Sequence, residues 1–396
     1  MNIRPLFFLV AFVCQAAWAE PARSPVGASQ QVFVDKGELA GAVTVVWQDG
    51  KLLNLEAVGK RDLAAGDAMA KDSLFWIASM TKPVTALAVM MLQEEGKLSI
   101  EDPVSKYLPE FKGQMLLKEK TAAQTVLVKP SRPITIKDLL THTSGLVGNS
   151  PLDGDAIDVL TLKEAVITYA LSPLQFEPGS KWSYCNPGIN TLGRLVEVVS
   201  GEEYAAFLQK RLFGPLGMKD TTFWPTETQM KRLATSYKPG AGGGLEVAEI
   251  KYLTPPFSNS RRTPLAAGGL FSTAEDLLKL YVMLMNGGEA EGRRYVGRET
   301  LALMTRNHTG ALKAGFTPGM GMGLGFQVVV APAESPAISM LSAGTYGHGG
   351  AHGTQGWMDP VKKSIHILLI QRAGLKNGDA SPMRQAFQEA AAGLLK

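Results

Sequence analysis

The chain has 396 residues, of which 45% are hydrophobic and 19% are charged. This length is enough for a large core, and a charged fraction below the roughly 25% of an average globular protein excludes an intrinsically disordered chain. The 40 Lys and Arg residues against 36 Asp and Glu residues leave a formal net charge of +4, and no block of five like charges occurs. We therefore expect no nucleic-acid partner.

Residues 1–19 have the pattern of a secretory signal peptide. Arg4 gives a positive start, Leu6 to Val13 is apolar, and Ala17 and Ala19 are the small residues that precede a cleavage site. A transmembrane helix needs about 20 apolar residues, which is more than this run supplies. We expect the protein to be exported, periplasmic or secreted, with no membrane span once residues 1–19 are removed.

Cys14 offers the alternative of a lipoprotein signal, but the bulky Phe12 and Val13 stand where small residues are usual. Cleavage after Ala19 removes Cys14 and leaves Cys185 as the single cysteine. The exported protein is therefore expected to have no internal disulfide.

The N-terminal part is predicted to open with an antiparallel hairpin. Ala40–Gln48 is rich in β-branched residues, Asp49-Gly50 is typical of a tight turn, and Leu52–Val58 can return as the partner strand. Next, Ala78–Glu95 has apolar residues at helical spacing. Pro83 fits this helix only in its first turn, which places Ser79 at the helix N-terminus.

The middle of the chain is predicted to be mainly helical, with few strands. The predicted helices there are Ile136–Leu140, Leu162–Leu171, Ile189–Val199 and Tyr204–Leu212. Residues 238–244 contain four glycines and read as a surface loop or hairpin tip. The elements predicted after them are the helix Thr273–Asn286, the strands Gly325–Val330, Gln355–Met358 and Ser364–Gln371, and a closing helix Met383–Leu395.

Strands at both ends with helices between them indicate an α+β fold in which an antiparallel sheet is flanked by helices and interrupted by a mostly helical insertion. We assign residues 20–98 and 260–396 to a discontinuous sheet domain. Residues 99–259 form the inserted, mainly helical domain in this interpretation.

Ser79-Met80-Thr81-Lys82 is the only S-x-x-K in the chain. Three residues make nearly one helical turn, so the Ser79 hydroxyl and the Lys82 amine share a face and can form a hydrogen bond. A serine hydroxyl is a weak nucleophile until a neighbouring base takes its proton. By itself this motif is also compatible with a helix-start serine and a solvated lysine.

Tyr184-Cys185-Asn186 is the only Y-x-N in the chain, and a glycine-rich segment follows at Tyr346–Gly353. A tyrosine between two cationic amines can have its phenol pKa lowered and can shuttle a proton. Taken alone, the tripeptide also fits a capping turn with a packed tyrosine. The glycines of the later segment allow a substrate to approach the backbone at a strand edge.

Other polar residues are predicted to have no catalytic role. His348 and His352 are four apart, but Gly349 and Gly350 between them oppose a helix, so we expect no metal site and no cofactor. His142 is interpreted as a buried structural histidine and Cys185 as a small filler. No G-x-S-x-G occurs in the chain, which argues against an α/β-hydrolase.

The three motifs together resemble those of serine hydrolases of the penicillin-binding protein and class C β-lactamase superfamily, including family VIII esterases. The resemblance extends over residues 40–372. The segments that carry it, in chain order, are Phe75–Phe111, Ile134–Leu146, Phe176–Gly193, Phe213–Thr222, Ala266–Leu277 and Gly347–Pro360.

This resemblance implies a β-lactamase/transpeptidase-like fold and an acyl-enzyme mechanism. Ser79 would be the acylated nucleophile, Lys82 would assist its deprotonation and Tyr184 would shuttle the proton. Which of Lys82 and Tyr184 is the main base stays open, because their titrations are coupled. Asn186 would bind the substrate or Lys82, and the backbone N–H groups of Ser79 and Ala351 would form the oxyanion hole.

The resemblance also places the substrate beside His348, Gly349 and Gly350. His348 stands where β-lactamases usually carry a lysine, and a histidine is mostly neutral near pH 7. A substrate carboxylate is therefore attracted less strongly, which favours short-chain esters or small amides over β-lactams. The alternatives are a peptidase acting on D-amino-acid peptides of peptidoglycan, a class C-like β-lactamase, and a sensor that is acylated by penicillin without turnover.

Overall fold

The computed structural model describes residues 23–148 and 156–396. The predicted signal peptide and Cys14 lie outside the described residues. Within them, the α-helices are α1 (Pro25–Asp35), α2 (Thr81–Glu94), α3 (Ile136–Leu140), α4 (Leu162–Leu171), α5 (Asn186–Ser200), α6 (Tyr204–Leu208), α7 (Glu227–Met230), α8 (Ala274–Met285), α9 (Arg298–Thr305) and α10 (Pro382–Ala392).

The strands of the described residues are β1 (Gly41–Gln48), β2 (Lys51–Asp62), β3 (Asp67–Ala68), β4 (Phe75–Trp76), β5 (Leu116–Lys120), β6 (Thr125–Val128), β7 (Tyr237–Pro239), β8 (Leu245–Val247), β9 (Phe271–Ser272), β10 (Glu289–Ala290), β11 (Arg293–Arg294), β12 (Met320–Met322), β13 (Gln327–Val329), β14 (Tyr346–Gly349), β15 (Gln355–Asp359) and β16 (Ser364–Ile370).

One antiparallel sheet of eight strands organises this part of the chain, in the order β12-β13-β14-β15-β16-β1-β2-β3. The C-terminal strand β16 pairs with the N-terminal strand β1, with Val45 opposite Ile367. The tight turn at Asp49 and Gly50 joins β1 to β2, as predicted from the sequence. The prediction of a sheet built from both ends of the chain is confirmed.

The two faces of the sheet are covered by different helices because successive strand residues point to opposite sides. On one face, Ala42 and Val46 of β1 belong to a core that includes Phe33 of α1 and Phe387 of α10. On the other face, Val43 and Val45 belong to the main core, together with α2 and α8. Full burial of each valine contributes about 1.5–3 kcal/mol of hydrophobic stabilisation.

The segment predicted as one helix from Ala78 to Glu95 consists of two parts. Ala78–Met80 forms a 3-10 turn, and the α-helix begins only at Thr81. Ala78 has a φ of 46°, which is uncommon for a residue with a side chain and turns the chain sharply out of β4. Pro83 lies in the first turn of α2, where its missing N–H costs no intrahelical hydrogen bond. Ser79 is therefore held by the tight turn rather than by the α-helix itself.

Most other predicted helices are confirmed with small shifts. Helices α3 and α4 have the predicted bounds. Helix α5 begins at Asn186, earlier than predicted, because Cys185 caps its first turn. The helix predicted to reach Leu212 is α-helical only to Leu208 and continues as a π-helical turn through Phe213.

Several elements were not predicted. Helix α1 carries a Ser24-Pro25 cap, a sequence signal that could have revealed it. The hairpin β5–β6 lies in the segment predicted to have few strands, and its charged, half-exposed residues hide the apolar alternation of a strand. The hairpin tip predicted at residues 238–244 is confirmed, since residues 240–244 join strands β7 and β8. The segment 99–259 therefore mixes helices with hairpins, and the domain boundaries stay a prediction.

No helix in the part of the chain that the structure describes is both long enough and apolar enough to cross a bilayer.

Candidate active site

Ser79 lies on the 3-10 turn that follows strand β4, directly before helix α2, which is buried from Thr81 to Leu92. The turn is anchored on both sides. The Thr81 hydroxyl donates to the Ala78 carbonyl at 2.7 Å and accepts from the Leu270 N–H at 3.2 Å. The backbone around Ser79 is therefore fixed before any substrate arrives.

Lys82 is fully buried one turn after Ser79. Its Nζ lies 3.0 Å from Ser79 Oγ and donates to the Ala267 carbonyl at 2.5 Å. Burial is the main cause that lowers the pKa of the Lys82 amine well below its usual value, and no carboxylate among the described residues pairs with it. A neutral amine beside a serine hydroxyl can accept its proton.

Ala267 is positioned by a residue that the sequence analysis missed. The buried Asn190 of helix α5 accepts a hydrogen bond from the Ala267 N–H at 2.9 Å through Oδ1. The carbonyl of Ala267 accepts the hydrogen bond from Lys82 Nζ. Asn190 thus orients the Lys82 amine through Ala267. The sequence gives no signal for this contact, because Asn190 lies within an apolar helical pattern.

Tyr184 donates a hydrogen bond from its hydroxyl to Ser79 Oγ at 2.7 Å. Its ring packs against His142 with centroids 4.6 Å apart, and Lys82 Nζ lies 4.7 Å from its centroid. Burial raises the pKa of the Tyr184 phenol well above its usual value. The expectation that two amines lower this pKa is wrong, because desolvation of the buried phenol outweighs the hydrogen bond to Ser79 that lowers it.

Cys185, which was predicted to be a small filler between Tyr184 and Asn186, caps helix α5. The Cys185 thiol donates to the Val147 carbonyl at 3.3 Å and accepts from the Gly188 N–H at 3.3 Å, so it caps helix α5. Burial raises the pKa of the Cys185 thiol to about 12. The thiol therefore stays protonated and acts as a structural group.

His142 is buried and has a φ of 59°, in the left-handed region where histidine is one of the enriched residues. Its Nδ1 accepts from the Cys185 N–H at 3.1 Å. Burial lowers the pKa of His142 well below its usual value. This histidine fixes the turn that presents Tyr184.

Strand β14 ends beside Ser79 and brings the third motif to the site. His348 is 1% exposed, and its Nδ1 lies 2.6 Å from the Gly349 carbonyl. A Cβ on Gly349 would come within 2.3 Å of an Asp379 carboxylate oxygen, so no larger residue fits there. The backbone N–H of Ala351, just past the strand, makes no hydrogen bond to any described residue and is free to bind an oxyanion.

Asn186 is the first residue of α5 and faces the same cleft. Within the described parts of the chain, its side-chain amide makes no hydrogen bond to Lys82. Binding of the substrate by Asn186 stays a prediction.

These groups surround a cleft of about 520 Å³ with mostly apolar walls. Trp76 and Tyr252 lie on one side with ring centroids 6.1 Å apart, and Phe316 packs on Tyr184 at 4.9 Å on the other. Tyr252 and Phe316 are 48% and 41% exposed, so they form an apolar rim. Among the described residues that line the cleft, Lys376 and Asp379 are the only Lys, Arg, Asp or Glu residues.

A buried ion pair fixes one wall of the cleft. Arg262 donates to Asp158 at 2.8 Å, and both side chains are almost fully buried. The Thr254 N–H also bonds the Asp158 carboxylate, and the Ile157 N–H bonds the Tyr252 carbonyl at 3.2 Å. The loops that carry Ile157 and Tyr252 are thereby held against each other.

Within residues 23–148 and 156–396, no group of three or more His, Cys, Asp or Glu side chains lies close enough together to hold a metal ion. His348 faces the cleft, whereas His352 packs edge-on against Trp76 at 4.9 Å and hydrogen-bonds Ser236.

Comparison with known proteins agrees with this geometry. The family model described as Beta-lactamase matches residues 29–390. A Mycobacterium tuberculosis protein is 36% identical over 89% of this chain and 91% of its own length. Esterase EstB from Burkholderia gladioli is 32% identical, again over 89% of this chain and over 90% of its own.

Among solved structures, that of EstCE1, a hydrolase with promiscuous acyltransferase activity, superposes with a TM-score of 0.76 at 26% identity. The superposition covers 92% of this chain and 97% of EstCE1. The fold is thus the β-lactamase/transpeptidase fold expected from the three motifs. This chain belongs to the β-lactamase family and is a serine hydrolase.

Proposed function

We propose that this protein is an exported carboxylesterase that cleaves short-chain esters, and more slowly small amides, through an acyl-enzyme on Ser79. One observation carries the proposal: Ser79 Oγ contacts a buried amine of lowered pKa at 3.0 Å and a buried phenol at 2.7 Å, inside an apolar cleft. This arrangement supplies a base and an acid to a single hydroxyl.

In acylation, the neutral Lys82 amine takes the Ser79 proton while Oγ bonds to the ester carbonyl carbon. The carbonyl oxygen becomes an oxyanion and accepts hydrogen bonds from the N–H groups of Ser79 and Ala351; one such donor is worth about 3–4 kcal/mol of transition-state stabilisation. The bond to the alcohol oxygen then breaks. Tyr184 protonates that oxygen and regains a proton from the Lys82 ammonium.

In deacylation, a water molecule attacks the acyl carbon, and its proton passes to Lys82 through Tyr184. The same oxyanion hole holds the second tetrahedral intermediate. When the carbon–Oγ bond breaks, Ser79 regains its proton and the carboxylic acid leaves. Lys82 and Tyr184 return to the neutral forms that burial favours in the free enzyme.

The preference for esters over β-lactams rests on charge. Burial lowers the pKa of His348 to about 4, so no cation stands where β-lactamases usually hold a substrate carboxylate. The aromatic walls instead favour an uncharged acyl group. The similarity to esterase EstB supports the same substrate class. We expect only weak β-lactamase activity, with nitrocefin turned over slowly relative to p-nitrophenyl butyrate.

The test combines kinetics with intact-mass spectrometry. Wild-type protein exposed briefly to p-nitrophenyl acetate should gain one acetyl group on Ser79, and Ser79→Ala should lose both the adduct and the hydrolysis. Full activity of Ser79→Ala would exclude Ser79 as the nucleophile.

A panel of further substrates distinguishes the other activities. Release of D-Ala from a peptidoglycan peptide at the rate of ester cleavage would favour a peptidase. A stable stoichiometric adduct with fluorescent penicillin and no turnover would favour a sensor. Efficient nitrocefin hydrolysis would reverse the ranking of esters over β-lactams.

Export is proposed on the sequence pattern of residues 1–19. Expression of the full chain with its own leader should yield a mature protein that begins at Glu20 outside the cytoplasm. The intact mass of the purified protein measures this, and an uncleaved cytoplasmic product would contradict it.

A further inference from the structure

The hydrogen-bonding state of His348 follows from one contact. Its Nδ1 lies 2.6 Å from the Gly349 carbonyl oxygen, which can only accept a hydrogen bond. The proton of the imidazole is therefore on Nδ1. The ring is neutral because it is buried, which leaves Nε2 as a bare acceptor.

Nε2 of His348 is buried and has no hydrogen-bond partner among the described residues. The charged or titratable groups around it do not supply one. Lys82 Nζ contacts Ser79 Oγ and donates to the Ala267 carbonyl, and the Tyr184 hydroxyl donates to Ser79 Oγ. A buried acceptor without a partner is unusual unless a ligand provides the donor, and His348 lines the cleft that a ligand would enter.

The position of His348 indicates which part of the substrate it meets. Its ring centroid is 6.2 Å from that of Tyr184. In the proposed reaction Tyr184 protonates the leaving alcohol, so groups beside Tyr184 face the leaving group.

We propose that His348 Nε2 accepts a hydrogen bond from an O–H or N–H donor in the leaving group of the substrate. The cleft then selects esters of alcohols that carry a second hydroxyl or an amide N–H near the cleaved bond. This inference rests on the proposed function, because it uses the same acyl-enzyme on Ser79. The inference makes His348 a specificity-determining residue that recognises a hydrogen-bond donor of the substrate instead of a carboxylate.

Two esters of equal size test the proposal. 2-Hydroxyethyl butyrate and propyl butyrate differ by a hydroxyl in place of a methyl group in the alcohol. We take the ratio of their kcat/KM values, which cancels any loss of active enzyme within one variant. His348→Phe should lower this ratio about three- to tenfold relative to wild type, the size expected for one neutral hydrogen bond.

Two further variants separate the acceptor from the fold. His348→Gln can place an amide oxygen near the position of Nε2 and should restore most of the wild-type ratio. His348→Asn is too short to do so, and it should show the low ratio even if His348→Phe folds poorly. The matched control is His366→Gln on β16, since His366 is equally buried but has partners in Ser364 of β16 and Gln388 of α10; it should keep the wild-type ratio.

The same ratio in wild type, His348→Phe and His348→Asn would overturn the inference. The acetyl adduct on Ser79, measured by intact mass in each variant, keeps this failure distinct from that of the proposed function. If the adduct forms and the ratio does not change, only the role of His348 is wrong. If wild type forms no adduct and Ser79→Ala still hydrolyses both esters, both proposals are wrong.

Discussion

Two buried ionisable side chains beside Ser79 respond to burial in opposite directions on the pKa scale. Desolvation disfavours the charged form of each, so it lowers the pKa of the Lys82 amine and raises that of the Tyr184 phenol. The resting site therefore contains a neutral amine and a protonated phenol. This supports Lys82 as the first proton acceptor and Tyr184 as the proton donor, a choice that the motifs left open.

Activity should depend on the neutral form of Lys82. We expect kcat/KM for p-nitrophenyl butyrate to be highest above the lowered pKa of Lys82 and to fall as the pH drops through it, because the ammonium cannot accept the Ser79 proton. Lys82→Arg should lose about 100- to 10,000-fold at every pH, since a guanidinium does not deprotonate. A pH profile that rises only near 10.5, the usual value for lysine, would contradict this assignment.

Tyr184→Phe should affect esters according to their leaving groups. The phenyl ring keeps the packing on His142 and Phe316 but has no proton to donate. Alkyl esters need protonation of the alcohol and should slow by about 100- to 10,000-fold. p-Nitrophenyl esters leave as a stable anion, so their acylation step should slow much less, whereas deacylation is the same for both esters. The kcat/KM values for ethyl butyrate and p-nitrophenyl butyrate, which report acylation, measure the difference, and equal losses on both would argue against proton donation by Tyr184.

At the scale of secondary-structure elements, helix α5 connects the parts of the site. Cys185 caps its start, next to Tyr184, and Asn186 begins it in the cleft. One turn later, Asn190 holds Ala267, whose carbonyl accepts from Lys82. The helix therefore connects the segment that carries Tyr184 to the residue that bonds Lys82.

Asn190→Leu should weaken the positioning of Lys82 without leaving a cavity in the core. Leucine has a similar volume but cannot bond the Ala267 N–H, so the Lys82 amine loses its fixed acceptor. We expect kcat to fall about tenfold, as one proton-transfer contact is loosened, and KM to change little. The acid limb of the pH profile should also move, which a purely structural defect does not cause. Thr191→Val on the same helix is the control, because Thr191 bonds only its own helix at Pro187; equal losses in the two variants would contradict the role of Asn190.

At the scale of the whole molecule, the histidines link stability to pH. All five histidines of the chain lie in the described residues, and burial lowers the pKa of each; for His348 and His352 it falls to about 4. Between these values and the unfolded value of about 6.5, the unfolded chain binds more protons than the folded one. The contribution of the histidines to the free energy of unfolding is therefore full above about pH 6.5 and is lost as the pH falls through this window toward the folded values.

Urea unfolding at pH 7, 6 and 5 should show this loss of stability. Each histidine that becomes protonated only on unfolding contributes a slope of up to about 1.4 kcal/mol per pH unit. His366→Gln removes one of these groups at a distance from the cleft and should make the slope shallower. A free energy of unfolding that stays constant from pH 7 to pH 5 would contradict the prediction.

Much of the architecture could be predicted from periodicity and turn residues. The hairpin β1–β2, helices α3, α4 and α8, and strand β16 all have strong local patterns and were placed within a few residues. The weaker elements were missed because their signals are not local. Hairpin β5–β6 is half-exposed and charged, and β12 is three residues long with a glycine at its centre. Such strands form because neighbouring strands pair with them, not because of their own composition.

The candidate site divides in the same way. Short motifs and their order were enough to single out Ser79, Lys82, Tyr184 and the segment from His348 to Ala351, because each motif is a local feature of the chain. Burial, pKa and long-range contacts are set by residues far away in sequence. The sequence by itself therefore determined which residues we propose for the chemistry and, through the resemblance, which fold holds them. Only the tertiary structure showed that the pKa of Tyr184 is raised instead of lowered, that Asn190 bonds the residue that accepts from Lys82, and that His348 Nε2 has no partner among the described residues. These features depend on desolvation and on contacts between segments that are distant in sequence.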